Sequence, residues 1–200
     1  MNILNNKLLK MERYLLLLIA ALMVTVYFVP LWYVSLTAPQ YPEGLSMNIH
    51  IDSIVGGTPH DLANINILNH YVGMKEIVED SIPELLFMPY VLAYMIFGAM
   101  VTFLWPRIYM VIFGIFNLSL VAVAGLYDFW RWEYNYGHQL HPDAPIQIPG
   151  MSYQPPLLGC KTLLNINACS IPHFGAIILF VAVGILIYIV YSHKKRGAVA

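Results

Sequence analysis

The sequence predicts a mainly α-helical membrane protein. Four transmembrane helices are expected, with both long loops forming a small mixed α/β domain on the outer face. Three observations carry this. Four apolar runs, Tyr14–Val34, Leu85–Trp105, Ile108–Tyr127 and Phe174–Ser192, contain no charged residue. Each is about long enough to cross a ~30 Å hydrocarbon core as a helix. Charge is sorted between the connections: Lys7, Lys10, Arg13, Arg107, Lys194, Lys195 and Arg196 flank one side. Ten of the eleven acids lie in or beside the other two connections, Glu12 being the exception. The positive-inside rule then places both termini and Arg107 in the cytoplasm and both long loops outside. The chain is 59% hydrophobic and 10% charged, against about 25% charged in a soluble domain.

These boundaries divide the chain into five parts. Residues 1–34 form the cytoplasmic start and first helix, 35–84 the first outer loop, and 85–127 a helical hairpin. Residues 128–173 form the second outer loop, and 174–200 the fourth helix and cytoplasmic tail. The first run has a basic start like a signal peptide, but it lacks a small-x-small site before Pro30 and reads as a retained helix. In the first loop, Ser46–Asp52 alternates polar and apolar residues as a strand does, and Gly56-Gly57 ends it. Thr58-Pro59-His60-Asp61 reads as a helix start, with Thr as cap and Pro in the first turn; the helix runs to about Tyr71–Gly73.

Trp105-Pro106-Arg107 is nearly the whole link between the second and third helices, so these form a tight antiparallel pair. Trp32, Tyr33, Trp105, Trp130 and Trp132 cluster where apolar runs meet water, as an aromatic belt does. The second loop, rich in Pro, Tyr and Gly from Tyr134 to Pro156, reads as irregular and held by packing. Cys160 and Cys169, the only cysteines, lie in this loop. They make a disulfide around Lys161–Ala168 or, alternatively, a thiolate metal pair; the lack of C-x-x-C spacing favours the disulfide.

The apolar runs hold no Asp, Glu, Lys, Arg or mid-depth His, so ion relays and paired haem ligands are not expected within them. No nucleophile constellation, phosphate loop or paired catalytic carboxylates appear, so the chain is not expected to be an enzyme by itself; it could contribute to a larger enzyme complex.

Five of the seven histidines, His50, His60, His70, His138 and His141, fall in the outer loops. His173 sits at their edge, and Met47, Met74 and Met151 join them. Imidazole with thioether suits copper, Cu(I) in particular. His70 and Met74, four apart, share a face if the helix continues through Gly73. His138, beside His141 and Asp143, is the expected third ligand from the second loop. Glu43, in a turn, could also reach a metal. The plainer reading treats each histidine as a capping or hydrogen-bonded residue and Met74 as packing. Glu76, Glu79, Asp80 and Glu84 read as a solvated approach to the membrane, and Asp128 with Arg131 as an ion pair.

Several long motifs carry a resemblance. Ala38–Leu45, Leu68–Lys75, Asp128–Trp132, Tyr136–His138, Pro149–Pro156 and Leu163–Asn165 together resemble a family of small bacterial four-helix membrane proteins. That family is encoded beside the copper-assembly proteins of nitrous oxide reductase. The resemblance spans Ala38 to Pro172 and implies an integral protein of the bacterial inner membrane with periplasmic loops. It implies copper handling or an accessory role, with His70, Met74 and His138 as motif ligands and Glu43 as motif carboxylate. The expected partner is a copper chaperone or a copper enzyme on the outer face. The alternative is a non-catalytic structural subunit of a larger membrane copper enzyme or respiratory complex. No basic face for nucleic acid is present.

Overall fold

A computed structural model of the protein describes residues 7–197. The first six and last three residues, to which the expected cytoplasmic placement of the termini also applies, lie outside the described residues. Three helices are long and apolar enough to cross a membrane: α3 (Pro83–Leu104), α4 (Ile108–His138) and α5 (Phe174–Gly197). Their large side chains, including Phe97, Phe113, Phe116 and Phe180, stand exposed. An apolar exposed surface of this kind belongs in lipid, where every backbone group is bonded within the helix.

The expected first span differs. α1 covers Lys10–Thr25, 16 residues, or ~24 Å of helix. A few tighter turns follow to Phe28, and β1 begins at Trp32. Pro30 has no donor to continue a helix and pushes the preceding residue toward extended backbone. Trp32, Tyr33 and Val34 are strand formers as apolar as the helix before them. Hydropathy therefore reads Tyr14–Val34 as one run although the chain changes structure inside it. α1 still packs against α3 and α5, burying Leu16, Ile19, Met23 and Val26 with Val111, Leu186 and Ile189. The Tyr27 hydroxyl donates to the Pro89 carbonyl at 2.6 Å and ties its far end to α3.

The basic residues meet at one end of this bundle. Lys7 forms an isolated bridge with Arg107, Leu8 N–H donates to the Pro106 carbonyl at 2.9 Å, and Arg13 Nε donates to the Phe103 carbonyl. At the other end stands a five-stranded antiparallel sheet, ordered β3-β2-β1-β5-β4. β1 (Trp32–Ala38), β2 (Tyr41–Ile49) and β3 (Ile54–Gly56) come from the first connection. β4 (Gly159–Leu163) and β5 (Ile166–Pro172) come from the second. β1 pairs with β5 from Trp32↔Pro172 to Thr37↔Asn167, so both long connections build one composite domain, as expected.

Cys160 and Cys169 face each other directly across β4 and β5 and form the expected disulfide. α2 (Asp61–Val72) lies on the sheet, and the core between them contains Val34, Leu45, Met47, Ile54, Ile65 and Ile77. The helix starts two residues later than expected, with His60 and not Thr58 at the cap position; Thr58 does not cap the helix but donates its hydroxyl to the Asp61 carboxylate.

α4 also departs from expectation. It does not end with the apolar run at Tyr127 but continues through His138. At 1.5 Å per residue it is ~46 Å long, well beyond the ~30 Å of a hydrocarbon core. The extension is held by rings at helical spacing. Trp130 and Tyr134 lie 5.6 Å apart, Trp132 and Tyr136 4.2 Å, and Tyr134 and His138 4.0 Å. The expected Asp128–Arg131 pair is not among the ion pairs of the described residues.

Candidate functional site: an imidazole edge over a buried carboxyl cavity

α2 sets the first part of the site. Asp61 accepts the Ser46 N–H at 2.9 Å and fixes the helix start to β2. Its carboxyl is held below the ordinary value of 3.8, chiefly by the Thr58 hydroxyl and against the effect of burial. The helix ends at Gly73, whose φ of 82° is left-handed. Gly73 N–H donates to the His70 carbonyl and Met74 N–H to the Asn69 carbonyl, a Schellman ending.

That ending separates the expected ligands. The helix does not continue through Gly73, so Met74 leaves the face of His70. His70 is exposed, its ring edge-on to Tyr71. Met74 turns into the apolar core beside Ile77 and Tyr136. Glu43 lies exposed on β2. Among the described residues no group of three or more His, Cys, Asp or Glu side chains is arranged to hold a metal.

The second connection docks on this helix ending. His141 N–H donates to the Gly73 carbonyl at 2.8 Å, and Ile146 N–H to the Tyr71 carbonyl at 2.9 Å. Lys75 Nζ reaches Gln139 Oε1 at 3.3 Å. A Cβ on Gly73 would come within 3.0 Å of His141 N, so glycine serves both the turn and the close approach. These contacts seat the segment that follows α4 on the end of α2.

The two loop histidines present different atoms. His138 Nδ1 lies 3.0 Å from the Tyr134 carbonyl. A carbonyl can only accept, so Nδ1 carries the proton and the lone pair of Nε2 is free. His141 Nδ1 instead accepts the Asp143 N–H at 3.2 Å, which leaves its proton on Nε2.

Between α2, the α4 extension, the segment carrying Tyr153 and strands β1, β2, β4 and β5 lies a cavity of about 70 Å³. Its walls are almost wholly apolar, with Val34, Met47, Ile65 and Met74 among them. A few polar groups interrupt them, among them Glu133 and Tyr153. Glu133 is 1% exposed and Tyr153 3% exposed, and neither Glu133 Oε2 nor the Tyr153 hydroxyl has a hydrogen-bond partner in the protein. Burial pushes the Glu133 carboxyl from an ordinary 4.5 up to about 8. The group lies beyond Tyr127, on the part of α4 outside the apolar run, where burial favours its neutral form.

Tyr153 is delivered by a motif. Its N–H donates to the Gly137 carbonyl at 2.9 Å, and a Cβ on Gly137 would meet Gln154 N at 2.3 Å. Tyr136-Gly137-His138 and Met151–Pro156 are thus packing partners. Glu133 was missed because the apolar run ends at Tyr127 and the residue was assigned to the second outer loop, 128–173. The available signal was helical: Phe129, Trp132, Glu133 and Tyr136 fall at i, i+3, i+4 and i+7, an aromatic stripe with one acid in it.

No protein-family model, curated protein or solved structure matches the chain.

Proposed function

We propose that the protein is a membrane accessory protein of the bacterial inner membrane that receives or hands over copper during assembly of a copper enzyme of the nitrous oxide reductase type. In this reading α1 is a fourth, shorter membrane helix, the basic end is cytoplasmic and the sheet domain is periplasmic. Charge sorting supports that orientation, and so does the disulfide, because such bonds persist in oxidising compartments.

The observation that supports copper handling is the exposed His138 imidazole, whose Nδ1 is bonded to the Tyr134 carbonyl so that Nε2 keeps its lone pair, with a second exposed imidazole, His70, near the end of α2. A carbonyl bonded to the far ring nitrogen in this way is how proteins fix a ligating tautomer. Two exposed imidazoles make an incomplete set that holds Cu(I) moderately and releases it to a better one by ligand exchange. The remaining ligands come from the partner, a copper chaperone or the copper enzyme. Met74 has no part in this site.

Titration of the detergent-solubilised protein with Cu(I) against a competing chelator tests this. One Cu(I) per chain is expected, with affinity at least tenfold lower in His70→Ala and in His138→Ala. Absence of binding, or binding unchanged in both variants, refutes copper handling at these histidines. The reading as a non-catalytic subunit of a larger membrane complex then takes precedence. Exposed Ile146, Ile148 and Leu158 on the second connection favour it, since apolar anchors suit a docking surface.

A further inference from the structure

The cavity lined by Glu133 and Tyr153 has a chemistry that the copper reading does not use. Its lining is hydrocarbon and thioether apart from a few polar groups, and no Lys, Arg or His belongs to it among the described residues. Two of the polar groups, Glu133 and Tyr153, are almost completely buried and lack partners for Oε2 and the hydroxyl. Buried polar atoms are nearly always satisfied, and leaving two of them unmet in one small space is costly. The space has room for several water-sized groups. It is lined from β1, β2, β4, β5, α2 and the α4 extension, and the Gly137–Gln154 close approach seats the segment carrying Tyr153, so it is not a casual packing defect.

We infer that this cavity is a binding site for one small, neutral organic molecule with an apolar body and a hydrogen-bond-accepting head, the head held by the Glu133 carboxyl and the Tyr153 hydroxyl. Both groups donate an O–H when neutral, so an oxygen acceptor such as a carbonyl or ether satisfies them, while the body displaces no polar contact from the walls. The raised Glu133 carboxyl agrees with this, since burial favours its protonated form. A charged head is disfavoured for the same reason: the described lining offers no counter-ion, and desolvating a charge there is expensive.

Met47 and Met74 line the cavity and supply internal reporters. The full chain, ¹³C-methyl labelled at methionine and held in lipid nanodiscs, is titrated with cyclopentanone as the probe. Saturable shifts of the Met47 and Met74 methyl signals are expected, with the methionines of the membrane helices unmoved. Tyr153→Phe removes the hydroxyl alone and should weaken the affinity at least tenfold. Should that variant fail to fold, cyclopentane in the wild-type protein gives the same contrast, having the apolar body without the acceptor, and should bind at least tenfold more weakly. Shifts that rise linearly without saturation, or that spread over all methionines, mean partition into lipid and overturn the proposal. So does a cavity that holds only water, seen as no Met47 or Met74 response to cyclopentanone. Equal affinity for the ketone and the hydrocarbon refutes the assigned role of Glu133 and Tyr153.

Discussion

Glu12 in the first helix and Arg196 at the end of the last are joined by an ion pair that closes the basic end of the bundle. Glu12 is 1% exposed; it also accepts the Leu9 N–H at 2.9 Å, and His193 Nδ1 lies 3.8 Å away. The single acid out of place in the charge sorting is therefore a buried partner for the basic tail. Arg196→Ala leaves that carboxylate without its main partner. Breaking a buried pair costs ~3–5 kcal/mol, and because the Arg196 side chain is 40% exposed the expected loss is about 2 kcal/mol. Denaturant unfolding in micelles measures it, and Glu12→Gln added to Arg196→Ala should recover part of it.

The apolar runs and the sign of their flanks made α3, α4 and α5 legible, because lipid imposes length and the absence of charge on any helix that crosses it. The two-loop domain was legible in outline from the Ser46–Asp52 alternation, the Thr58–Asp61 start and the cysteine pair. The β1 start was not. Trp32 to Val34 are as apolar as a span, and only pairing with β5 from the distant second connection makes them a strand. The α4 extension was hidden by composition: Asp128 to His138 looks like a polar loop when charge marks the boundary, although its rings repeat every four residues. Missing that helix hid Glu133. The end of α2 near Tyr71–Gly73 was legible, but pairing His70 with Met74 needed the helix to continue through Gly73, whose left-handed φ ends it and takes Met74 off the face of His70.

Gly137→Ala should be among the most damaging single methyl additions. The new Cβ would stand 2.3 Å from Gln154 N and 2.4 Å from its Cα. Backbone cannot rotate away as a side chain tip does, so the segment carrying Tyr153 must lift off α4. A loss of about 3 kcal/mol is expected, with faster amide exchange at Tyr153, whose N–H now donates to the Gly137 carbonyl. Unchanged melting would mean that the α4 extension and the Pro-rich segment do not pack as described.

Asp61 holds α2 to β2 through Ser46, and Thr58 bonds the same carboxyl. Asp61→Ala leaves the Ser46 N–H without its acceptor and should cost about 1–3 kcal/mol. The pH sign follows from the depressed carboxyl. Its stabilisation is present above the ordinary value of 3.8 and is lost as pH falls through the lower folded value. Acid unfolding curves of wild type and Asp61→Asn should accordingly converge at low pH, and parallel curves would remove the claim.

The disulfide closes only a short hairpin loop, so its effect is moderate. Chain-entropy arguments give about 2–3 kcal/mol for a loop of this size. Paired Cys160→Ser and Cys169→Ser should lose up to that amount, with fraying confined to β4, which pairs with β5 alone. Hydrogen exchange on the two strands checks this: β5 should stay protected through its pairing with β1, whereas equal loss in both strands would show that the bond supports the whole sheet.

Glu133 gives the sharpest pH dependence. In the unfolded chain it loses its proton near 4.5, while in the fold burial keeps the proton to about 8. Between those values the folded protein binds one more proton than the unfolded one, so stability falls as pH rises, by roughly 1.4 kcal/mol per pH unit. Below that window both states are protonated and the residue contributes no slope; above it both are ionised and the penalty is constant. Of the other groups lining the cavity, Tyr136 is pushed up by burial, away from this range. Glu133→Gln keeps the shape and cannot ionise. The difference in unfolding free energy between wild type and Glu133→Gln should therefore grow steadily in favour of the variant from mildly acidic pH to about 8 and then level off. A difference that stays flat across this window would show that Glu133 ionises near its ordinary value in the folded protein, which requires water around its carboxylate and an open cavity.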